Sequence, residues 1–570
     1  MSFVKKILRG LFYSFFVFTD ILFLLMVWFI IAVTIKPPVP TDLSALQLVR
    51  KQVSSDFYTI NNNWLKKSDT GLWEMYLEGD GFERGVTEGK LAEELMEKQE
   101  MAFVNQLKKM IPSQGMLNYL KFFISFFNRH LDHYIIEEYK QEIYGESIYL
   151  SDKFDFIAPK YYRKLNYHAA HDIGHALQDK NMTVGCTAFG AWADKTDDNT
   201  LLIGRNFDFN VGEEFAENKM VDFVKPKTGY KLMMISWAGM IGTVSGMNEK
   251  GLTVTLNAAK SEIPTSAAAP ISLVAREILQ FAKNIKEAMA IAEKRKTFVS
   301  ESIFIGSLED NRTATIEKTP SKTELFETPE KNFIICANHY QGKAFENDVI
   351  NQQNIKNSSS EYRYIHLHSL INQYPKLSVA DAAFILRNQQ GIDEKNIGMG
   401  NEKSLNQLIC HHSVIFKPAR LQVWVSANPY QLGQYVCYDL NKVFAEAPGM
   451  KIKKELYERE LNIPADEFLF SDKYKKFVAF KKFREAFSYK HHHKIEFPLK
   501  AERIQQFIDC NPEYWETYFI LGNYFYDENK KDEALKYFTI SLTKEITTLP
   551  EKEKIVKLIS EIKNSSQSKN

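Results

Sequence analysis

Cys186 is the residue that its sequence neighbours could turn into a nucleophile. It lies in Gly185-Cys186-Thr187-Ala188-Phe189, and a charged turn separates that run from Leu201-Leu202-Ile203-Gly204-Arg205-Asn206-Phe207-Asp208. Two apolar runs joined by a turn predict paired strands, with the thiol at the start of one and Arg205 and Asp208, three apart, on the other. Thiol, guanidinium and carboxylate would then meet at one end, where neighbouring charge sets how readily the thiol ionises. Alone the pattern decides little, because most buried cysteines are inert core residues. The other four cysteines, Cys336, Cys410, Cys437 and Cys510, are widely spaced and form no CxxC pair. They read as core thiols, neither a disulfide scaffold nor a zinc site.

Further blocks change the weight of Cys186. CTAFGAW…GRNFDF strongly resembles the start of the mature chain in choloylglycine hydrolases, penicillin V acylases and isopenicillin N acyltransferases. GMNEKGLTVTLNAA, from Gly246 to Ala259, is similar to that family's second block and puts Asn257 at its oxyanion-hole asparagine. CANHY puts Asn338 at the later active-site asparagine, and SSSEYRYIHL puts Arg363 at the site arginine. By these ordered matches the chain is identified as a member of the N-terminal-nucleophile cysteine hydrolase superfamily. The upstream GDGFERGVTEGKL, Gly79 to Leu91, and the Gly-Cys junction favour the self-cleaving acyltransferase branch.

The resemblance implies a precursor cut between Gly185 and Cys186. The Cys186 thiol would attack the Gly185 carbonyl, and hydrolysis of the resulting ester would free the Cys186 amine. An α-amine titrates near ~8 and a thiol near ~8.5, so the amine can serve as general base to the thiol of its own residue. Asp208 would orient that amine, Arg205 would favour the thiolate, Asn257 would stabilise an oxyanion, and Asn338 and Arg363 would hold substrate or complete the polar network. The implied activity is an amidohydrolase or acyltransferase cleaving a linear amide of a small N-acyl substrate, lipid-like ones included. No cofactor and no metal is expected. One rival reading is a membrane-anchored interaction protein with an inert hydrolase domain. Another rests on His168, His171 and His175, which share one face of a predicted helix and could bind zinc; the His171-Asp172 pair is similar to metal-dependent phosphohydrolases. That reading needs further metal-binding residues, which nothing clearly supplies.

These residues need a scaffold. At 570 residues, with 45% hydrophobic and 25% charged, the chain can bury several cores. Its net charge of +1 creates no global field, so no nucleic-acid partner is expected. Residues 11–35 are apolar and long enough to span a membrane, and Lys5, Lys6 and Arg9 ahead of them predict a single-pass anchor, with the bulk of the chain on the non-cytoplasmic side. A cleaved signal peptide is the alternative, but no small-residue cleavage site follows. Residues 41–185 read as a helical pro-segment. From Cys186 to Leu440, short β-branched runs alternate with turns and two helical stretches, SLVAREILQFAKNIKEAMAIAEKR and VADAAFILRN, interrupt them. That order predicts an α+β fold, which the resemblance makes a four-layer αββα sandwich. Residues 441–500 read as a helical linker. Residues 501–565 carry tetratricopeptide-like spacings that must pack on the enzyme domain or on a protein partner. The two cleavage fragments are expected to stay together as a heterodimer.

Overall fold

The structure, a computed structural model, describes residues 2–111, 113–176, 185–209, 212–262, 267–493 and 500–567. It is a mixed α+β protein with an apolar helix at its start and helices at its end. Its strands are β1 Lys51–Ser54, β2 Phe57–Ile60, β3 Asn63–Lys67, β4 Trp73–Gly79, β5 Thr187–Ala191, β6 Leu202–Asp208, β7 Lys219–Pro226, β8 Leu232–Trp237 and β9 Ser245–Asn248. They continue as β10 Leu252–Ala258, β11 Glu301–Ser307, β12 Arg312–Lys318, β13 Thr323–Phe326, β14 Phe333–Cys336, β15 Cys410–Lys417, β16 Gln422–Ser426 and β17 Tyr435–Asp439. Among the described residues they form an eleven-stranded sheet, ordered β1-β2-β3-β4-β7-β8-β9-β10-β11-β12-β13, and a six-stranded sheet, ordered β14-β5-β6-β15-β16-β17.

Period-two alternation decides which face each side chain joins. In β8, Met233 and Ile235 point into a core shared with Ala188, Ile203, Val414 and Val425 of the small sheet. Leu232 and Met234 point the other way, into a core with Ile271, Val274 and Ile278 of the helix Ile271–Phe281. The far face of the small sheet, through Phe189, Leu202 and Ile415, is covered by Leu367, Ile371, Ile385 and Leu386. These come from the helices Ser360–Gln373 and Val379–Leu386.

The expectation of a helical pro-segment over 41–185 is corrected in its first part, which supplies β1 to β4, and β4 runs parallel to β7 with Trp73 opposite Met220 and Gly79 opposite Pro226. Phe57, Trp64 and Tyr76 face the core between the sheets, while Leu65, Met75 and Leu77 face the helices. The alternation is disguised because Lys66 and Glu74, which read as solvent-facing charges, are both fully buried and paired at 2.7 Å. Beyond β4, Asp80 caps the helix Gly81–Leu91 by accepting the Glu83 N–H at 3.0 Å. Gly85 lets that helix lie directly on the helix Glu137–Ser147, since a methyl there would overlap the Glu142 carbonyl.

The first helix spans Ser2–Val33, and its unburied stretch Lys5–Val33 is long and apolar enough to cross a membrane or to act as a signal sequence. Near its end Trp28 and Phe29 meet Phe122 and Phe126 of the helix Gln114–Phe127. Past β17, only part of 441–500 is helical. The helix Leu440–Glu446 is followed by an irregular stretch with two short 3-10 helices, Arg459–Leu461 and Glu467–Phe470, that bridges Ile463 to Tyr435, and then by the helix Asp472–His493. Helices Ala501–Cys510, Trp515–Asp527, Lys531–Leu542 and Leu549–Gln567 close a separate core around Phe507, Leu521, Phe538 and Ile555.

Candidate active site

The β5–β6 pairing brings Cys186 to its companions. Thr187 lies opposite Asn206 and Ala188 opposite Arg205, and the Gly185 N–H continues the ladder by donating to the Asp208 carbonyl at 3.0 Å. Cys186, Arg205 and Asp208 are all fully buried. One Arg205 nitrogen donates to Cys186 Sγ at 3.7 Å and to the Leu256 carbonyl. The other donates to Ser245 Oγ at 2.5 Å. Burial pushes the Cys186 thiol up to about 11; Arg205 and Arg363 oppose that rise and Asp208 adds to it. The thiol is therefore neutral near pH 7 in the intact chain and needs a proton acceptor to become a nucleophile. Burial also raises the Asp208 carboxyl to about 7, against the pull of Arg363 and Arg205. Asp208 can thus exchange a proton in the physiological range.

The three later candidates converge on the same place. From the helix Ser360–Gln373, Arg363 donates to the Cys186 carbonyl at 2.6 Å, to Thr187 Oγ1 at 2.7 Å and to Asn338 Oδ1 at 2.7 Å. Asn338, just after β14, donates through its amide to the Ala258 carbonyl at 2.9 Å, and its N–H reaches Ser360 Oγ at 2.8 Å. Asn257 on β10 behaves differently. Its amide donates to the carbonyls of Cys336 and Ala337 at 2.9 and 3.3 Å. In this intact state those donors are occupied by backbone, and Asn257 Oδ1 has no partner among the described residues.

Gln407 also reaches the junction, and it was not among the candidates read from the sequence. Its Nε2 donates to the Gly185 carbonyl at 2.7 Å and lies 3.4 Å from Asp208 Oδ2. It sits in the loop between Lys395 and Cys410, where no charge, repeat or motif marks it. The same residue lines a cleft of about 1810 Å³ whose walls include Cys410, Tyr430, Tyr474, Phe477 and Tyr514. Lys108, Lys109, Glu213, Lys481 and Arg484 also line it, so the cleft mixes aromatic and charged walls and touches the site at Gln407.

The histidine face just upstream does not form a metal site at His168. That ring is fully buried, with Nδ1 bonded to the Lys164 carbonyl at 3.0 Å and Nε2 accepting the Ile241 N–H at 3.2 Å. Both nitrogens are used and neither lone pair is open to a cation. Burial pushes its pKa down to about 3, so it is a neutral core histidine. The side chains of His171 and His175 lie outside the described residues. Among the described residues no group of three metal-capable side chains occurs.

Residues 195–428 match the model of the family described as acyl-coenzyme A:6-aminopenicillanic acid acyl-transferase. Cys186 lies just ahead of that segment, and Arg205, Asp208, Asn257, Asn338, Arg363 and Gln407 lie within it. An uncharacterized protein of Archaeoglobus fulgidus is 25% identical over 260 residues, covering 41% of this chain and 41% of the relative. The chain thus spans about two fifths of the length of the curated relative it matches. Among solved structures, a Caenorhabditis elegans N-acylethanolamine-hydrolyzing acid amidase ortholog is 15% identical with a TM-score of 0.31, covering 41% of this chain and 93% of its own. A mutant conjugated bile acid hydrolase from Clostridium perfringens is 16% identical with a TM-score of 0.32, covering 48% and 97%.

Proposed function

Since the chain belongs to the N-terminal-nucleophile hydrolase superfamily, through the acyl-transferase family segment at 195–428, we propose that it cuts itself between Gly185 and Cys186 and then cleaves or transfers the acyl group of an N-acyl amide through an acyl-Cys186 intermediate. The observation that carries this reading is the enclosure of one backbone junction. The Cys186 thiol faces Arg205, the Cys186 carbonyl is held by Arg363, and the Gly185 N–H rests on Asp208. A structural cysteine needs none of these.

In the cut enzyme the Cys186 amine takes the thiol proton, the thiolate attacks the substrate carbonyl, and the amine returns the proton to the leaving nitrogen. Asp208 Oδ1 and Gln407 Oε1 have no partner among the described residues, and a new α-amine beside them would supply donors to both. Asn257 would turn its amide toward the substrate oxyanion once released from the Cys336 and Ala337 carbonyls. Arg363 and Asn338 would fix the strand end that bears Cys186.

The packing order of helices, sheet, sheet and helices supports the four-layer αββα sandwich, built on 186–440 with β1 to β4 extending its larger sheet. Residues 1–40 would be the cytoplasmic stub and single-pass anchor, holding the rest on the non-cytoplasmic side, and 41–185 would complete the N-terminal fragment left by the cut and held by strand pairing. We read 501–565 as tetratricopeptide-like, able to take a protein partner on its free side. Expression from residue 36 onward, followed by a denaturing gel and intact-mass measurement, tests the central claim. Wild type should give fragments meeting at Gly185 and Cys186, and Cys186→Ala a single species. An uncut wild type whose Cys186 resists an acyl-mimicking electrophile defeats it. A panel of N-acyl amides of graded chain length then defines the substrate.

A further inference from the structure

We infer that Gln407 is the catalytic residue that polarises the scissile Gly185 carbonyl during self-cleavage. The inference rests on the self-processing reading above and assigns a residue to a step that reading leaves without an electrophile. Cleavage needs a donor at the oxygen of Gly185, not of Cys186, because charge develops on the carbonyl under attack. Arg363 is committed to the Cys186 oxygen, one peptide unit along the chain. Gln407 Nε2 lies 2.7 Å from the Gly185 oxygen.

Three further observations make this a built contact. Gln407 is fully buried, so its amide is not placed there by solvent. Its loop is clasped from several sides: the Asn406 N–H donates to the Asn388 carbonyl at 2.8 Å, and Asn406 Oδ1 accepts the Leu408 N–H at 3.1 Å. Asn401 reaches the Ile397 and Glu545 carbonyls at 3.0 and 2.9 Å, and Asn511 accepts the Met399 N–H at 3.0 Å, so the C-terminal helices brace the loop. Finally, a methyl group on residue 185 would overlap the Gln407 carboxamide. Glycine before the nucleophile is what lets this amide reach the carbonyl.

The Cys186 thiol gives its proton to the Asp208 carboxylate, and Sγ bonds to the Gly185 carbon. The carbonyl oxygen becomes an oxyanion facing Gln407 Nε2–H. Collapse breaks the carbon–nitrogen bond, the Cys186 nitrogen takes the proton, and a thioester remains. Water adds to the thioester and the carbon–sulfur bond breaks, one water proton going to Sγ and the other to the new Cys186 amine, leaving the Gly185 carboxylate and the Cys186 thiol.

The test is the rate of conversion of freshly translated full-length chain into fragments, followed by denaturing gel and intact mass. Gln407→Met keeps length without the donor, and Gln407→Glu keeps shape with an acceptor in its place. Each should slow cleavage by about 10²–10³-fold, the usual loss for one oxyanion donor. Gly185→Ala should slow wild type strongly but add little to Gln407→Met, because both remove one contact. Uncut forms are checked for folding by comparing their melting with Cys186→Ala. A folded Gln407 variant that cleaves within threefold of a cleaving wild type overturns the inference, as does full additivity with Gly185→Ala. A wild type that never cleaves overturns instead the self-processing reading beneath it.

Discussion

At the scale of single residues, Asp208 carries the pH response. Its carboxyl is raised to about 7 by burial, so the folded state binds this proton more tightly than the unfolded chain, whose aspartates titrate near ~4. Its contribution to stability is complete below about pH 4 and is lost as pH rises toward 7. In the uncut Cys186→Ala protein, melting should therefore fall between these limits, and Asp208→Asn should flatten that slope. Self-cleavage runs the other way. In the proposed step the carboxylate would be the proton acceptor, so the rate should climb through about pH 7, and Asp208→Asn should be slow with no inflection there. A wild-type rate that is flat from pH 5 to 8 would remove Asp208 from the proton path. Arg363 gives a second expectation. Replacing it with Lys keeps one charge but cannot span the Cys186 carbonyl, Thr187 and Asn338 together. Each charged hydrogen bond lost is worth about 1.5–3 kcal/mol, read as a drop in melting of the uncut protein.

At the scale of elements, the N-terminal strands are the joint between the parts. Trp64 on β3 is fully buried against Tyr76 and donates its indole N–H to the Ala447 carbonyl at 2.7 Å. Trp64→Ala should cost about 3–5 kcal/mol, measurable by denaturant unfolding of the uncut chain. Lys66→Met should be as damaging, about 3–5 kcal/mol, because it leaves Glu74 buried with no cation. These same residues explain where the sequence was readable. The strands after Cys186 advertise themselves through β-branched alternation, as in Leu252, Val254 and Leu256, and the two interrupting helices through their periodicity. Cys186, Arg205, Asp208, Asn338 and Arg363 were found by motif and do meet. β1 to β4 escaped notice because Lys66 and Glu74 put charges at buried positions. Gln407 escaped because its role comes from a loop folded back over more than 200 residues, which local spacing cannot encode.

At the scale of the whole molecule, the apolar helix Ser2–Val33 packs at one end on Phe122 and Phe126, so it contacts the folded part rather than only trailing from it. Alkaline extraction should leave the full chain in the membrane fraction, and removal of residues 1–35 should release it; release of the full chain under the same wash would show a processed leader instead. The two fragments made by cleavage should co-elute under native conditions and separate only in denaturant. The parallel pairing of β4 with β7 would hold them together, and the proposed cut would also change the molecularity of unfolding. Before the cut, unfolding is a first-order event of one chain. Afterwards two strands of one sheet belong to different molecules, and their separation carries a translational entropy gain that dilution enlarges. The midpoint of the cut protein should shift with concentration while that of Cys186→Ala does not. A protein matured in this way would hold a fold that its separated fragments regain only by finding each other again.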